Sequence, residues 1–286
     1  STGATRSIGV LTEDLSSPVV YGILNGLTHT MMRRSFVLLL RDLELRDDTK
    51  GQNLPDLQSS KAKINENCQL LFASHIDGFI YVGRGNRNID GIFDYIERPV
   101  VYCCSRSKDR TCVILDNVNS TKEMTLSMVG RRHTRIAVIT GPEASLDAGE
   151  RLEGYRMAMQ EAFLPVNEAY VRHGDWTAES GRAQAEALLK LPEPPTAIVA
   201  MSDAMAYGVM QKAAEMGFSV PGDLAVGGFG NEDYAELLTP GLTSMELPLS
   251  EIGEKAAELC MTLIRNPVAP IVQSAVSAHM VWRGSI

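Results

Sequence analysis

Apolar runs of five or six residues alternate along this chain with longer stretches in which apolar residues recur every three or four positions. The first pattern suits strands buried on both faces, the second helices with one buried face. The run at 7–11 (SIGVL) ends in a polar turn, and Pro18 then suits the first position of a helix, with Ser17 before it as a cap. Tyr21, Leu24, Leu27 and Met31 carry that helix over 19–34. A strand follows at 36–40, then a polar segment with Asp47, Asp48 and Lys50, a helix over 54–73 and a strand at 77–82. A short helix over 89–96, strands at 99–103 and 111–115, and a helix that follows Asp116-Asn117 and ends near Val129 complete the series.

The pattern then restarts. Strands are expected at 135–140, 170–172, 197–201 and 224–229, with helices over 150–163, 179–191 and 204–216 between them. Pro192, Pro194 and Pro195 end the second of these helices, and Gly217 stops the third. An amphipathic helix over 249–265 and short strands close the chain. Strands alternating with helices mean an α/β protein of mostly parallel sheets covered on both faces. Two such series predict two doubly wound parallel-sheet lobes, with the break near 128–134.

A chain of 286 residues accommodates two ordinary domains. A net charge of −8 argues against a surface that itself grips nucleic acid or an anionic membrane. The five cysteines (Cys68, Cys103, Cys104, Cys112, Cys260) are odd in number and lack metal-ligand spacing, which predicts reduced, packed thiols in a cytoplasmic protein. No apolar run reaches the ~20 residues of a membrane span, and no signal peptide is visible. The chain begins Ser1-Thr2-Gly3-Ala4-Thr5, without Met, and this stretch reads as a linker with more chain expected upstream.

The chemistry-bearing motifs of enzymes are absent: no G-x-S-x-G, no H-E-x-x-H and no phosphate loop of the G-x-x-x-x-G-K-[ST] type. Gly83-Arg84-Gly85 fails to complete a dinucleotide fingerprint, because Asn88 stands where the third glycine belongs. Gly227-Gly228-Phe229-Gly230 follows a strand and suits either an anion against backbone amides or a tight strand end. The histidines (His29, His75, His133, His173, His279) are scattered, so neither a metal nor a cofactor is expected. Acidic pairs such as Asp47-Asp48 and Glu232-Asp233 read as solvated loops. Two faces are rich in methionine, Tyr21-Leu24-Thr28-Met31-Met32 and Met205-Val209-Met210, and suit either a dimer contact or core packing.

Several segments together resemble the effector-binding core of the LacI/GalR family of bacterial transcription regulators. They are SIGVLTEDLSSP (7–18), DGFIYV (77–82), Leu115-Asp116-Asn117, GRRHTRIAVITGP (130–142), ERLEGYRMAM (150–159) and GDWTAESG (174–181). PPTAIVAMSDAMAYGVM (194–210), VPGDLAVGGFGN (220–231) and LLTPGLTSMELPLSEIGEKAAEL (237–259) follow in the same order. The resemblance spans nearly the whole chain. It implies a periplasmic-binding-protein-like fold with several crossovers between lobes, an N-terminal lobe of 6–130 plus 247–273 and a C-terminal lobe of 131–246 plus 274–286. It also implies a cytoplasmic homodimer that binds a small-molecule effector between its lobes. Operator DNA would be held by an N-terminal helix-turn-helix headpiece that this sequence does not include. Closure would be a two-state equilibrium biased by the effector.

Carried over position by position, the ligand-binding set is Asp14, Ser17, Asp116, Ser145, Asp147, Arg151, Trp176, Ser202, Asp203, Gly230 and Asn231. Arg151 offers a fixed fork of donors, and Trp176 a flat face for a sugar ring or base. Asp116 and Asp203 suit helix capping as well as ligand contact, and Asp14 a turn. Gly230 stands where sugar- and purine-binding members commonly carry Asp, and Ser202 where many carry Asn. With a carboxylate gone and Arg151 kept, a sugar acid or sugar phosphate becomes an expected effector beside a neutral sugar. The rival readings are a solute-binding protein of a sugar transporter, which shares the architecture, and an enzyme of sugar or nucleotide metabolism, for which no catalytic set is found.

Overall fold

Every residue of the first strand, Ser7–Thr12 (β1), is buried, as its unbroken apolar run requires. The structure, a computed structural model, describes residues 5–45 and 56–286; the expected linker at 1–4, the polar segment with Asp47, Asp48 and Lys50, and the helix start near Leu54 lie outside the described residues. The chain continues through α1 (Pro18–Arg33), β2 (Val37–Asp42), α2 (Lys61–Ala73), β3 (Gly78–Val82), β4 (Val100–Cys103), β5 (Thr111–Leu115) and α3 (Asn117–Gly130). Then come β6 (Ile136–Thr140), α4 (Leu146–Glu161), β7 (Val171–His173), α5 (Ala178–Leu189), β8 (Ala197–Ala200) and α6 (Asp203–Glu215). The last elements are β9 (Ala225–Gly230), β10 (Thr243–Glu246), α7 (Leu249–Arg265), β11 (Gln273–Val276) and β12 (His279–Val281).

These elements form two compact units. Of the described residues, the first takes in 5–45, 56–115 and 248–276; the second takes in 116–247 and 277–286. In the first, the sheet order is β11-β5-β4-β3-β1-β2 and every pairing is parallel. In the second, the order is β12-β10-β9-β8-β6-β7, parallel except for β12 against β10. Both are doubly wound sheets, and their order reverses between β1 and β3 and between β6 and β8. Ligands of such sheets sit beyond the carboxyl ends of the strands that flank this reversal. Among the described residues no helix is long and apolar enough to cross a membrane.

The expected division at 130/131 differs from these units. The helix α3 packs along α4, and a Cβ on Gly154 of α4 would fall 2.1 Å from the Val118 carbonyl oxygen of α3. That close approach places α3 in the second unit. In the first unit, α1 and α7 meet in the same way: a Cβ on Gly26 would lie 1.9 Å from the Ser250 oxygen, and one on Gly253 would lie 2.1 Å from the Ile23 oxygen.

Three expected helices are redrawn. Within the described residues α2 starts at Lys61, because Asp56 first takes the amides of Gln58 and Ser59 in a turn. The stretch 89–96 is a pair of turns with no helix, since Gly91 has φ +79°; its periodic residues Ile89, Ile92, Phe93 and Ile96 are nonetheless buried. And α4 starts at Leu146, four residues before Glu150, because Ser145 caps it by accepting from the Ala148 amide at 3.3 Å. Ser17 occupies the cap position of α1 but makes no side-chain cap bond. Of the methionine-rich faces, Met205, Val209 and Met210 are core, whereas Tyr21 and Met32 are 71% and 70% exposed.

Candidate functional site

In the second unit, the loops after β6, β7, β8 and β9 and the first turns of α3 and α4 bring most of the expected residues to one end of the sheet. Arg151, on the second turn of α4, is buried. Its Nε donates to Asn117 Oδ1 at 2.8 Å and its Nη1 to the Met201 carbonyl at 2.5 Å. Its Cζ stands 3.8 Å from the Phe229 ring centroid and 5.6 Å from that of Trp176. Burial pushes its pKa down to about 10, against the pull of Asp147, Glu150 and Asp203, so it is a cation at neutral pH. Three carboxylates thus act on one guanidinium through space, and two of them, Asp147 and Glu150, are tied to it through Asn117.

Trp176 has φ +71°, and its ring lies over Gly141, where a Cβ would fall 2.0 Å from a ring carbon. Glycine after β6 is therefore what admits the indole. Ser202 caps α6 by accepting from the Met205 amide at 3.2 Å and donates to the Trp176 carbonyl at 3.4 Å. Capping by Asp203 is not what the structure shows. Asp203 is buried beneath the loop after β9, and its carboxylate accepts from the Ser244 hydroxyl at 2.5 Å and from the Glu232 amide at 2.7 Å. Burial raises its pKa, and these donors together with Arg283 oppose the rise. A Cβ on Gly228 would meet its Oδ1 at 2.3 Å, which gives the glycine pair of β9 its packing reason.

Removal of this carboxylate strands a buried hydroxyl and an amide. Asp203→Ala is expected to cost about 1–3 kcal/mol, read as a lower denaturant midpoint. An unchanged midpoint would show that the β9 loop does not depend on it.

Gly230 (φ +135°) and Asn231 (φ +52°) turn the chain out of β9. Asn231 Oδ1 accepts from Arg283 Nη2 at 2.8 Å, and its amide donates to Ser244 Oγ at 3.0 Å. Asp147 accepts from Asn117 Nδ2 at 2.7 Å. Asp116 is engaged as the cap of α3: Oδ1 accepts from the Asn119 amide at 3.1 Å, and Oδ2 from Asn119 Nδ2 at 2.8 Å and Ser277 Oγ at 3.0 Å.

In the first unit, Asp14 holds the turn after β1, accepting from the Ser16 amide at 2.9 Å and the Ser16 hydroxyl at 2.7 Å, and the half-buried Ser17 follows it. The neighbouring Glu13, fully buried, went unmarked in the sequence. It accepts from Tyr81 Oη at 2.5 Å and from Arg87 Nη2, with Arg84 Nε 3.7 Å away. Burial, reinforced by Glu13, raises the Tyr81 pKa well above its ordinary value. This cluster lies at the carboxyl ends of β1 and β3, the strands that flank the reversal of order. Its only sequence signal is a charged residue two positions after each apolar run. Asn117, Phe229, Ser244 and Arg283 of the second unit were missed as well.

Among the described residues no group of three or more acidic, histidine or cysteine side chains is placed to hold a metal ion. What these networks offer is a buried cation beside aromatic faces and a rim of hydrogen-bonding groups, a lining that suits a small molecule.

The chain belongs to the periplasmic binding protein-like domain family, whose model matches residues 127–286. It is 28% identical over 284 residues to the HTH-type transcriptional repressor CytR of Escherichia coli, covering 98% of this chain and 79% of that protein. To the ribose operon repressor of the same organism it is 27% identical over 285 residues, covering 98% and 82%. The solved structure of a transcriptional regulator CelR–cellobiose complex matches with a TM-score of 0.78 at 25% identity, over 99% of this chain and 85% of that one. Within the family, the chain is the effector-binding core of a LacI-type transcriptional regulator.

Proposed function

We propose that this core senses a neutral, ring-bearing polyhydroxyl molecule, a sugar or a sugar joined to a base, through Arg151 and Trp176. The observation that carries the reading is the setting of Arg151: one guanidinium lies against Phe229 with Asp147, Glu150 and Asp203 around it. An anionic group approaching Arg151 meets those carboxylates, whereas hydroxyls accept from the guanidinium and donate to the acids. This weighs the balance toward a neutral sugar over the sugar acid or sugar phosphate that Arg151 alone suggests. The relatives support a sugar: one is a ribose operon repressor and another was solved with cellobiose. Within the ligand-binding set, Ser145, Ser202, Asp203 and Asp116 serve as frame, and Asp147, Gly230 and Asn231 as rim. Asp14 and Ser17 belong to the first unit.

The protein acts as a regulator, without an enzymatic reaction, in the cytoplasm. Effector binding changes operator affinity through a DNA-binding headpiece, and the exposed Tyr21, Thr28 and Met32 of α1 suit a homodimer contact. The alternative of a transporter's solute-binding protein is disfavoured because the relatives matched over 98% of the chain are repressors.

The test is a thermal-shift and calorimetric comparison of D-ribose, cellobiose and nucleosides with gluconate and glucose 6-phosphate. A neutral ligand at about 100 times its Kd adds roughly 2.7 kcal/mol to stability. That gain is expected to vanish in Arg151→Gln. A response confined to the acidic compounds would overturn the neutral reading.

A further inference from the structure

Asn117 makes three hydrogen bonds with one carboxamide. Its Oδ1 accepts from Arg151 Nε at 2.8 Å, and its Nδ2 donates to Asp147 Oδ1 at 2.7 Å and to Glu150 Oε2 at 2.9 Å. The residue is 1% exposed. Its partners fix the orientation of the amide: turned over, it would set an NH2 against the guanidinium and an oxygen against two carboxylates. A carboxylate in its place would lose both donors and add a third acid beside Asp147 and Glu150. An apolar side chain would leave all three partners without it.

Arg151 is thereby pinned at two nitrogens, Nε by Asn117 and Nη1 by the Met201 carbonyl, over the Phe229 ring. Two fixed points on a planar, delocalised group set both its tilt and its rotation. Its Nη2 makes no hydrogen bond among the described residues. We propose that Asn117 is a positioning residue for Arg151, holding the guanidinium so that Nη2 stays open to an oxygen of the bound molecule. The proposal deepens, and rests on, the reading of Arg151 as an effector contact. Asn117 is also the first residue of α3, two positions beyond Leu115, where the chain leaves the first unit. The side chain that aims Arg151 is thus attached at the point where the chain passes from one unit into the other.

The test needs no effector. In ¹⁵N-labelled protein the Nε–H signal of Arg151 is assigned by its loss in Arg151→Lys. Relative to a free arginine at the same pH, its protection from exchange is expected to fall about tenfold in Asn117→Leu, which keeps the volume and removes the acceptor. Asn117→Ser, too short to reach the guanidinium, gives the same loss should the leucine variant not fold. Protection unchanged in both the leucine and the serine variant would overturn the positioning role. Failure of the effector reading would show separately, as sugar binding unaffected by Arg151→Gln.

Discussion

Arg151→Ala is expected to lower the stability of the core by about 3–5 kcal/mol, the range for breaking a buried ionic network by removing one member. The substitution deletes the donors to Asn117 Oδ1 and the Met201 carbonyl and the cation stacked on Phe229. It leaves Asp147, Glu150 and Asp203 without the cation they share. For a chain of this size about 1 kcal/mol corresponds to a shift of roughly 2–4 °C, so the thermal midpoint should fall by roughly 10 °C. Guanidinium unfolding followed by tryptophan fluorescence checks it. A loss below about 1 kcal/mol, the worth of an exposed ion pair, would mean that the network is not integrated with the fold.

Gly208→Ala should be destabilising by about 1–3 kcal/mol or more, although alanine is the better helix former by about 1 kcal/mol. The sign follows from the crossing of α5 and α6. A Cβ on Gly208 would stand 1.9 Å from the Ala178 oxygen and 2.8 Å from the Arg182 nitrogen, and one on Gly181 would stand 2.2 Å from the Met205 oxygen. These are backbone atoms, so the methyl can be admitted only by parting the helices. Gly149→Ala on the exposed face of α4 is the control, because a Cβ there meets nothing within 4 Å. It should stabilise by about 0.5–1 kcal/mol. If both glycines respond alike in chemical denaturation, helix propensity and not close packing governs them.

Much of the fold was legible because the elements announce themselves locally. The strands β1, β3, β5, β6 and β8 are buried throughout and apolar except for a serine or threonine at their ends. The amphipathic pattern of α7 gave its ends, Leu249 and Arg265, to the residue. The stretch at 89–96 shows how that signal misleads. Its spacing is that of a helix face, and all four apolar residues are buried, yet two successive turns satisfy the same spacing once Gly91 adopts a positive φ. The start of α4 was set late because its first turn, Leu146 to Gly149, is polar and small apart from an exposed leucine, so periodicity is silent there and Ser145 decides.

For the candidate site residues, the contacts that each side chain makes were not legible in the sequence. Arg151 and Trp176 stand at the carboxyl end of the sheet, where the resemblance to the family put them, but the work of their neighbours differs from what their types suggested. Asp203 reads as a cap and is a buried acceptor, while Ser202 reads as a ligand contact and is the cap. Glu13 looks like one more loop acid and is fully buried between Tyr81 and Arg87.

By itself, then, the sequence determined the alternation of strand and helix, the doubling of the wound unit and the family to which the chain belongs. All of these rest on spacing and order along the chain. Tertiary structure alone decided which unit holds α3, what pins Arg151 and what holds Asp203. The partners involved are 34, 50 and 41 residues apart. Periodicity reports only that a face is buried, whereas hydrogen-bond partners follow from strand order and helix crossing. Those are settled by backbone contacts at glycines such as Gly154 and Gly208, whose lack of a side chain gives no sign along the sequence of what they will meet.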